Sequence, residues 1–424
     1  MTEDLFQYIW KMKLFDTSNL QTTDNEPINI LNFGTHNFNS GPDFFNAKIK
    51  IGNTIWAGNV ELHLKSSDWL LHKHQYNAAY ENIILHVVFK EDKQLFDQSG
   101  RAIKTLILEP HIKKEVIQNY SAFKENNSSI ACEKSVNKVP MSIINTYLES
   151  MVVKRLESKS KHIESLLLEN NHHWEQSFYL QLASNFGYKV NQVPFLLLAR
   201  NTPLSVIAKH KVNLAQIEAL LFGQAGLLDE VYSENYPTLL QNEYIFLKKK
   251  YHLTGMDGHL WKFSKMRPVN FPTIRIAQFA ALIHRSTHLF SKIIEANEPD
   301  QIMQLFKVSA SEYWDTHYTF KHTTKKLNKN IGASSIDNII INTVVPFVFL
   351  FGKQYANESK SELALSLLEK IKPEKNNITQ LWETSGIKAK NALQSQALIE
   401  LKNNHCNEKK CLQCSIGHFI IKNN

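Results

Sequence analysis

The chain has 424 residues, 43% of them hydrophobic and 21% charged, with only 14 glycines and 12 prolines. That composition excludes a disordered chain and a turn-rich all-β sandwich, and the length suits two or three domains. The formal charge of +8 suits a polyanionic partner such as nucleic acid, although a lysine excess spread over a large surface gives the same value.

The first residues, MTEDLFQYIW, carry acids where a secretory signal would carry Lys or Arg. The most apolar run, 339–352, is interrupted by Asn342, Thr343 and Pro346, so it reads as a buried segment and not as a membrane span. The expectation is a cytoplasmic protein with no membrane partner.

Helical spacing of Leu5, Phe6, Ile9, Trp10, Met12 and Leu14 predicts a helix from Glu3 to about Phe15. Short strands follow at 28–32 and 47–51, and the turn Gly52-Asn53 leads into a strand at 55–65. In that strand Val60, Leu62 and Leu64 alternate with Glu61, His63 and Lys65. Ser66, Ser67 and Asp68 are helix-capping residues, and the run to about Tyr80 reads as helix. The nearly continuous apolar run 83–89 predicts a buried strand, and 105–108 a short one. Beyond Pro140 the spacing becomes helical, as in 141–168, 175–186, 214–227, 236–251, 273–298, 300–314 and 362–371, with Pro and Gly between segments.

Four groups of residues carry chemistry. The first is Pro42-Asp43 with Glu61, His63 and Lys65. Metal-dependent phosphodiester cleavage needs acidic oxygens to hold Mg²⁺ or Mn²⁺, and a base or cation to position water and offset charge. The hairpin would bring Asp43 beside Glu61, and His63 and Lys65 share the face of Glu61. The competing reading is the polar face of a half-buried strand.

The second group is histidine. His63, His72, His74 and His86 have the chemistry to hold Mn²⁺ or Zn²⁺ or to act as a general base. His86, inside an apolar strand, reads more simply as a core histidine satisfied by one hydrogen bond. His72 and His74 are either substrate contacts, together with Ser66 and Ser67, or an exposed helix surface.

The third group is the tail: His405-Cys406, Cys411 and Cys414, with His418 beyond. Thiolates at this spacing wrap a metal. His405 or His418 would complete a Cys₃His zinc site, or the distant Cys132 would close a Cys₄ site. The fourth lies in the helical region, where Arg267 and Arg275, with the aromatics of Tyr313–Tyr318, have the make-up to clamp phosphates and stack on bases. The simpler reading is helix ends packed by aromatics around buried arginines.

Over roughly residues 1–110 the chain resembles the PD-(D/E)xK, or restriction-endonuclease-like, superfamily. The resemblance rests on the helix, strand, hairpin, helix, strand order, on Pro42-Asp43, and on Glu61 with a lysine after it. It implies Asp43 and Glu61 as metal ligands and the lysine as an aid to the attacking water. The family pattern puts that lysine two residues after the acid, where this chain has His63. Either the histidine substitutes or Lys65 reaches from one pleat further on. Glu3, on the first helix, is a further acidic contact. A Cys132-closed site looks like the iron–sulfur clasp of some nucleases in that superfamily. The blocks SGPDF, GNVELHLKSSDW, FGQAG, RPVNFPTIRIAQ and CLQCSIG also resemble, over the full length, an uncharacterised bacterial family.

The expected fold is α+β: a nuclease-like α/β domain at 1–115, a linker at 116–140, a helical domain at 141–400 and a metal-binding tail at 401–424. The expected activity is metal-dependent cleavage of nucleic acid, with Mg²⁺ or Mn²⁺ at the active site and zinc or an iron–sulfur cluster in the tail. The rival expectations are a non-catalytic nucleic-acid or protein-binding module on the same fold, and a metalloenzyme acting on a small molecule.

Overall fold

The first helix, α1 (Glu3–Lys11), follows from its sequence. Thr2 caps it by accepting a hydrogen bond from the Leu5 amide, and acidic Glu3 and Asp4 open it while Lys11 closes it. Leu5, Phe6, Ile9 and Trp10 form its buried stripe. It stops short of the expected Phe15 because Lys13 takes a left-handed backbone, φ 56°. Trp10 then packs with Phe15, Phe33 and Phe44 in an aromatic cluster.

The computed structural model describes residues 1–97, 100–286 and 288–423. These divide into two compact units, one made of 1–147, 381–387 and 401–424, the other of 148–380 and 388–400. The architecture is α+β, with the sheet in the first unit and helices dominating the remainder of the chain.

One mixed sheet organises the first unit. Its strands are β1 (Ile28–Asn32), β2 (Thr35–His36), β3 (Phe44–Ile51), β4 (Thr54–Lys65), β5 (Ile83–Lys90) and β6 (Thr105–Ile107). The order is β1-β3-β4-β5-β6, with β2 paired to β3. β3 runs antiparallel to β1 and β4, whereas β4, β5 and β6 are parallel. A register shift between Phe44 and Ala47 marks a bulge in β3, where Asn46 takes φ 58°.

The crossover from β4 to β5 differs from the continuous helix expected there. It breaks into α2 (Asp68–Leu71) and two single 3₁₀ turns, His74–Tyr76 and Ala78–Tyr80. The break is at Lys73, whose φ of 60° no helix accommodates. The expected linker also contains structure, since α3 (Lys114–Glu125) lies within the first unit. The tail belongs to the same unit. Its terminal helix, Ser415–Asn423, packs on α3, and Asn119 Nδ2 donates to the carbonyls of Ile420 and Ile421 at 3.3 Å.

The second unit is helical, from most of α4 (Met141–Glu169) to Glu358–Lys370 and the helix at 392–401. Phe178, Phe186, Phe195, Phe279 and Phe347 are fully enclosed in its core. The stretch Ala333–Gln354 is long and apolar enough to cross a membrane, yet 78% of its apolar window is buried inside the protein.

Candidate metal centre

The hairpin β3–β4 brings the two acids together. Asn37 holds the loop before β3: its amide donates to the Asp43 carbonyl at 2.8 Å, and its side chain donates to Pro42 O at 3.0 Å. The Asp43 amide then donates to Glu61 Oε2 at 3.0 Å. Asp43 Oδ2 accepts from the Leu62 amide at 3.0 Å, and Oδ1 from Gln7 Nε2 of α1 at 2.7 Å. The bulge after Phe44 turns the loop so that Asp43 meets β4 end-on while β3 resumes its pairing beyond.

Glu61 Oε1 faces histidines. It lies 3.2 Å from His74 Nε2 and 3.6 Å from His63 Nε2. His63 Nε2 is also 3.2 Å from His72 Nδ1. Ligand atoms of His63, His72 and His74 all fall within 4.8 Å of one another. His72 and His74 reach the same point from opposite sides of Lys73, because the left-handed residue turns the chain between them.

His63 is prepared from behind. Its Nδ1 lies 2.8 Å from His86 Nε2, and His86 is wholly buried on the neighbouring strand, opposite Glu61 in the ladder. One proton is shared between His63 Nδ1 and His86 Nε2; in the tautomer that places it on His63, the His63 Nε2 lone pair faces Glu61 and His72. His86 makes that one hydrogen bond, and its Nδ1 is buried without a partner among the described residues. His74 stacks on Tyr80, ring centroids 3.8 Å apart.

Electrostatics sharpen this geometry. Burial pushes the Asp43 carboxyl up to about 7, with the Glu61 charge adding to it. Burial also pushes Glu61 up to about 7, opposed by the hydrogen bond from the Asp43 amide. Burial, then the neighbouring histidines, push His63 down to about 2, and burial pushes His86 down to about 3. His74 is lowered too, chiefly by burial. His63, His74 and His86 are therefore held neutral at neutral pH. Among the described residues no lysine or arginine pairs with Asp43 or Glu61.

The donor set fits a metal ion. Nitrogen and oxygen ligands at about 2.0–2.1 Å from a tetrahedral ion lie about 3.3 Å apart. Three donor pairs, His63–His72 and Glu61–His74 at 3.2 Å and Glu61–His63 at 3.6 Å, match that spacing, and the three histidine donors lie within 4.8 Å of one another. Three imidazoles and a carboxylate suit Zn²⁺ or Mn²⁺ better than the oxygen-seeking Mg²⁺. Next to His74 opens a groove of ≈ 950 Å³, lined by Trp56, Trp69, Tyr80, Arg101 and Lys104 among others.

The other sequence candidates fall elsewhere. Lys65 is exposed at the end of β4, so it is the histidines that stand against Glu61. Ser66 and Ser67 are committed to Asp92: their hydroxyls donate to its carboxylate at 3.0 and 2.7 Å, and the Ser67 amide donates at 2.9 Å. They fix the start of the crossover and do not point into the histidine cluster. Arg275 is buried in the second unit, where its guanidinium donates to Gln278, Tyr188, Asn270 and Ser335. Arg267 is exposed at its own end of the same helical region. Gln7, Trp69 and Tyr80 were not singled out from sequence. Only Gln7 had a signal, its position one helical turn after Glu3.

All four cysteines converge in the first unit, where Cys132, Cys406, Cys411 and Cys414 line one cavity together with His405. Burial and the Cys414 charge push Cys406 up to about 12 and Cys411 up to about 11, and the same causes raise Cys132. His418 is turned away to Tyr8, with Nδ1 2.5 Å from the phenol oxygen.

Comparison with curated proteins gives no match, nor does comparison with solved structures. One family model, described as "Protein of unknown function (DUF2851)", matches residues 3–377, which include the whole histidine–carboxylate cluster. With nearly the full chain covered, the protein belongs to the DUF2851 family.

Proposed function

We propose that the first unit is a metal-dependent hydrolase centre of nuclease type that cleaves phosphodiesters in nucleic acid. The observation that carries this reading is the convergence of Glu61 with His63, His72 and His74, beside a second buried acid and, among the described residues, with no lysine or arginine paired to either acid. Glu61 and the three histidines would hold Mn²⁺ or Zn²⁺, with Asp43 adjoining. When bound, such an ion supplies a Lewis acid and lowers the pKa of its water.

The rest is done by the chain. His86 orients His63, and Tyr80 braces His74 by stacking. Gln7 and the Leu62 amide hold Asp43. The Asp43 carboxyl, pushed up to about 7, gains and loses its proton near neutrality and is the general base in this reading. The aromatic lining of the adjacent groove, with Trp56 and Tyr80, supports a nucleic-acid strand as the substrate through base stacking, while its Arg101 and Lys104 are paired with Asp97 and Glu26. The sheet supports the restriction-endonuclease-like frame: in an antiparallel meander Asp43 stands just before β3 and Glu61 on β4, and a crossover leads to the parallel β5.

The test is cleavage of single- and double-stranded DNA and of RNA with Mn²⁺, Zn²⁺ or Mg²⁺. Glu61→Gln, His74→Ala and Asp43→Asn should each lower the rate at least about 10–100-fold while circular dichroism stays unchanged. Salt-sensitive nucleic-acid binding that persists in chelator without turnover would replace this reading with a non-catalytic binding module. The histidine-rich donor set also favours a second reading, a metallohydrolase for a small phosphoester. Turnover of small phosphodiesters with polymeric nucleic acid left intact would select it.

A further inference from the structure

The chain has four cysteines, and all of them line one cavity of ≈ 20 Å³ in the first unit. They arrive from two distant parts of the sequence. Cys132 sits in the turn after α3, where its carbonyl accepts from the Ser135 and Val136 amides, both at 2.9 Å. Cys406 ends the π-helical turn Lys402–Cys406, and Cys411 opens the 3₁₀ turn Cys411–Gln413. Cys414 immediately precedes the terminal helix Ser415–Asn423. No disulfide joins any pair.

The walls of the cavity are apolar and rigid. Trp382, Leu401 and Ile416 line it and are fully buried. Gly417 lets the tail fold back on itself, since a Cβ there would lie 2.3 Å from the Cys411 carbonyl oxygen. Tyr147 donates its hydroxyl to the Gln413 carbonyl at 3.3 Å, pinning the Cys411–Cys414 turn. Four uncrosslinked thiols gathered in an apolar pocket are a soft, high-affinity ligand set, and thiolates prefer zinc or iron to the hard cations.

We infer that Cys132, Cys406, Cys411 and Cys414 jointly hold one thiolate-coordinated metal centre, a zinc ion or an iron–sulfur cluster, that fastens the C-terminal tail to the first unit. The centre has a structural consequence for the site described above. The tail helix reaches α1 through His418 and Tyr8, and the residue before Tyr8 is Gln7, which holds Asp43. The thiolate centre therefore steadies the helix that positions one acid of the hydrolase cluster, although its existence does not depend on that activity.

The full-length protein, purified without oxygen, tests this. Analysis of metal and acid-labile sulfide should find either thiolate-bound zinc or iron with sulfide. Co²⁺ added to metal-free protein should give sulfur-to-cobalt charge-transfer absorption, which no histidine–carboxylate site produces. Cys132→Ser should abolish that absorption as completely as Cys414→Ser, whereas His405→Ala should keep it. Thiol titration of the native protein should find all four cysteines protected until the metal is removed. The inference is overturned if the wild-type protein takes up no thiolate-bound metal after reconstitution with Zn²⁺ or with Fe²⁺ and sulfide. It is likewise overturned if Cys132→Ser keeps the cobalt absorption or His405→Ala loses it, because either result takes the site away from the four cysteines.

Discussion

Glu61 is a carboxylate buried to 4% exposure beside the acid Asp43, and its protonation couples to stability. Its carboxyl is raised from 4.5 to about 7, so the folded protein keeps a proton that the unfolded chain has already released. Stability from this group is present below the unfolded value and is lost as pH rises through about 7. His63 and His86 act oppositely. Held neutral in the fold, they cost stability as pH falls below 6.5, where the unfolded chain takes up protons. The two effects oppose each other between pH 4.5 and 6.5, above which only the carboxylates act and below which only the histidines do. In chelator, Glu61→Gln should therefore raise the melting temperature at pH 8, each unit of the relieved shift being worth about 1.4 kcal/mol. The gain should shrink as pH falls through about 7, and a gain equal at pH 8 and pH 5 would show that charge burial is not its source. On the proposed reading a bound metal would displace these protons, so affinity for Mn²⁺ or Zn²⁺ should rise from pH 6 to pH 8, by about tenfold per pH unit for each proton released. Titration calorimetry in buffers of different ionisation enthalpy measures both the affinity and the proton count.

At the level of the element, the crossover after β4 decides whether the cluster forms. Residues two apart on a helix point about 200° from each other, so a continuous helix through His72 and His74 could present only one of them to His63. The left-handed turn at Lys73 brings both inward. Glycine adopts that conformation without cost, whereas a β-branched residue resists it strongly. Lys73→Gly should keep metal affinity and stability, while Lys73→Val should weaken binding about tenfold or more by swinging one histidine out. Equal affinities in the two variants would mean that the turn does not assemble the site. The strands needed no such device. Alternation in 60–65, the apolar run 83–89 and the turn Gly52-Asn53 were legible because each strand's own pattern dictates its faces. A single residue at positive φ leaves no periodic trace, and lysine is a poor advertisement for one.

At the scale of the whole molecule, the first unit is assembled from segments far apart in the chain. Ile416, Ile420 and Ile421 of the terminal helix are buried in it, and Asn119 and Tyr8 bond to that helix. Ending the chain after Glu400 should therefore expose apolar surface on the first unit and loosen α1. Hydrogen exchange should show lost protection in α1 and α3 of the truncated protein, with protection kept in the helices Leu214–Gln224 and Pro272–Arg285 of the second unit. Unchanged exchange in α1 would mean the tail is an appendage.

The sequence by itself determined what short-range physics controls: the strands, the amphipathic helices, the pairing of Asp43 with Glu61 through a hairpin, and which histidines and cysteines are candidates for ligation. Tertiary structure alone decided which of those groups meet. It turned His72 and His74 toward Glu61, set His86 behind His63, left Lys65 at the surface, enclosed Arg275 among its own partners, and carried Cys132 to the tail cysteines. The reason is that side-chain type and period are local properties of a chain. Convergence on a common point depends instead on backbone turns and packing between segments that the sequence holds hundreds of residues apart.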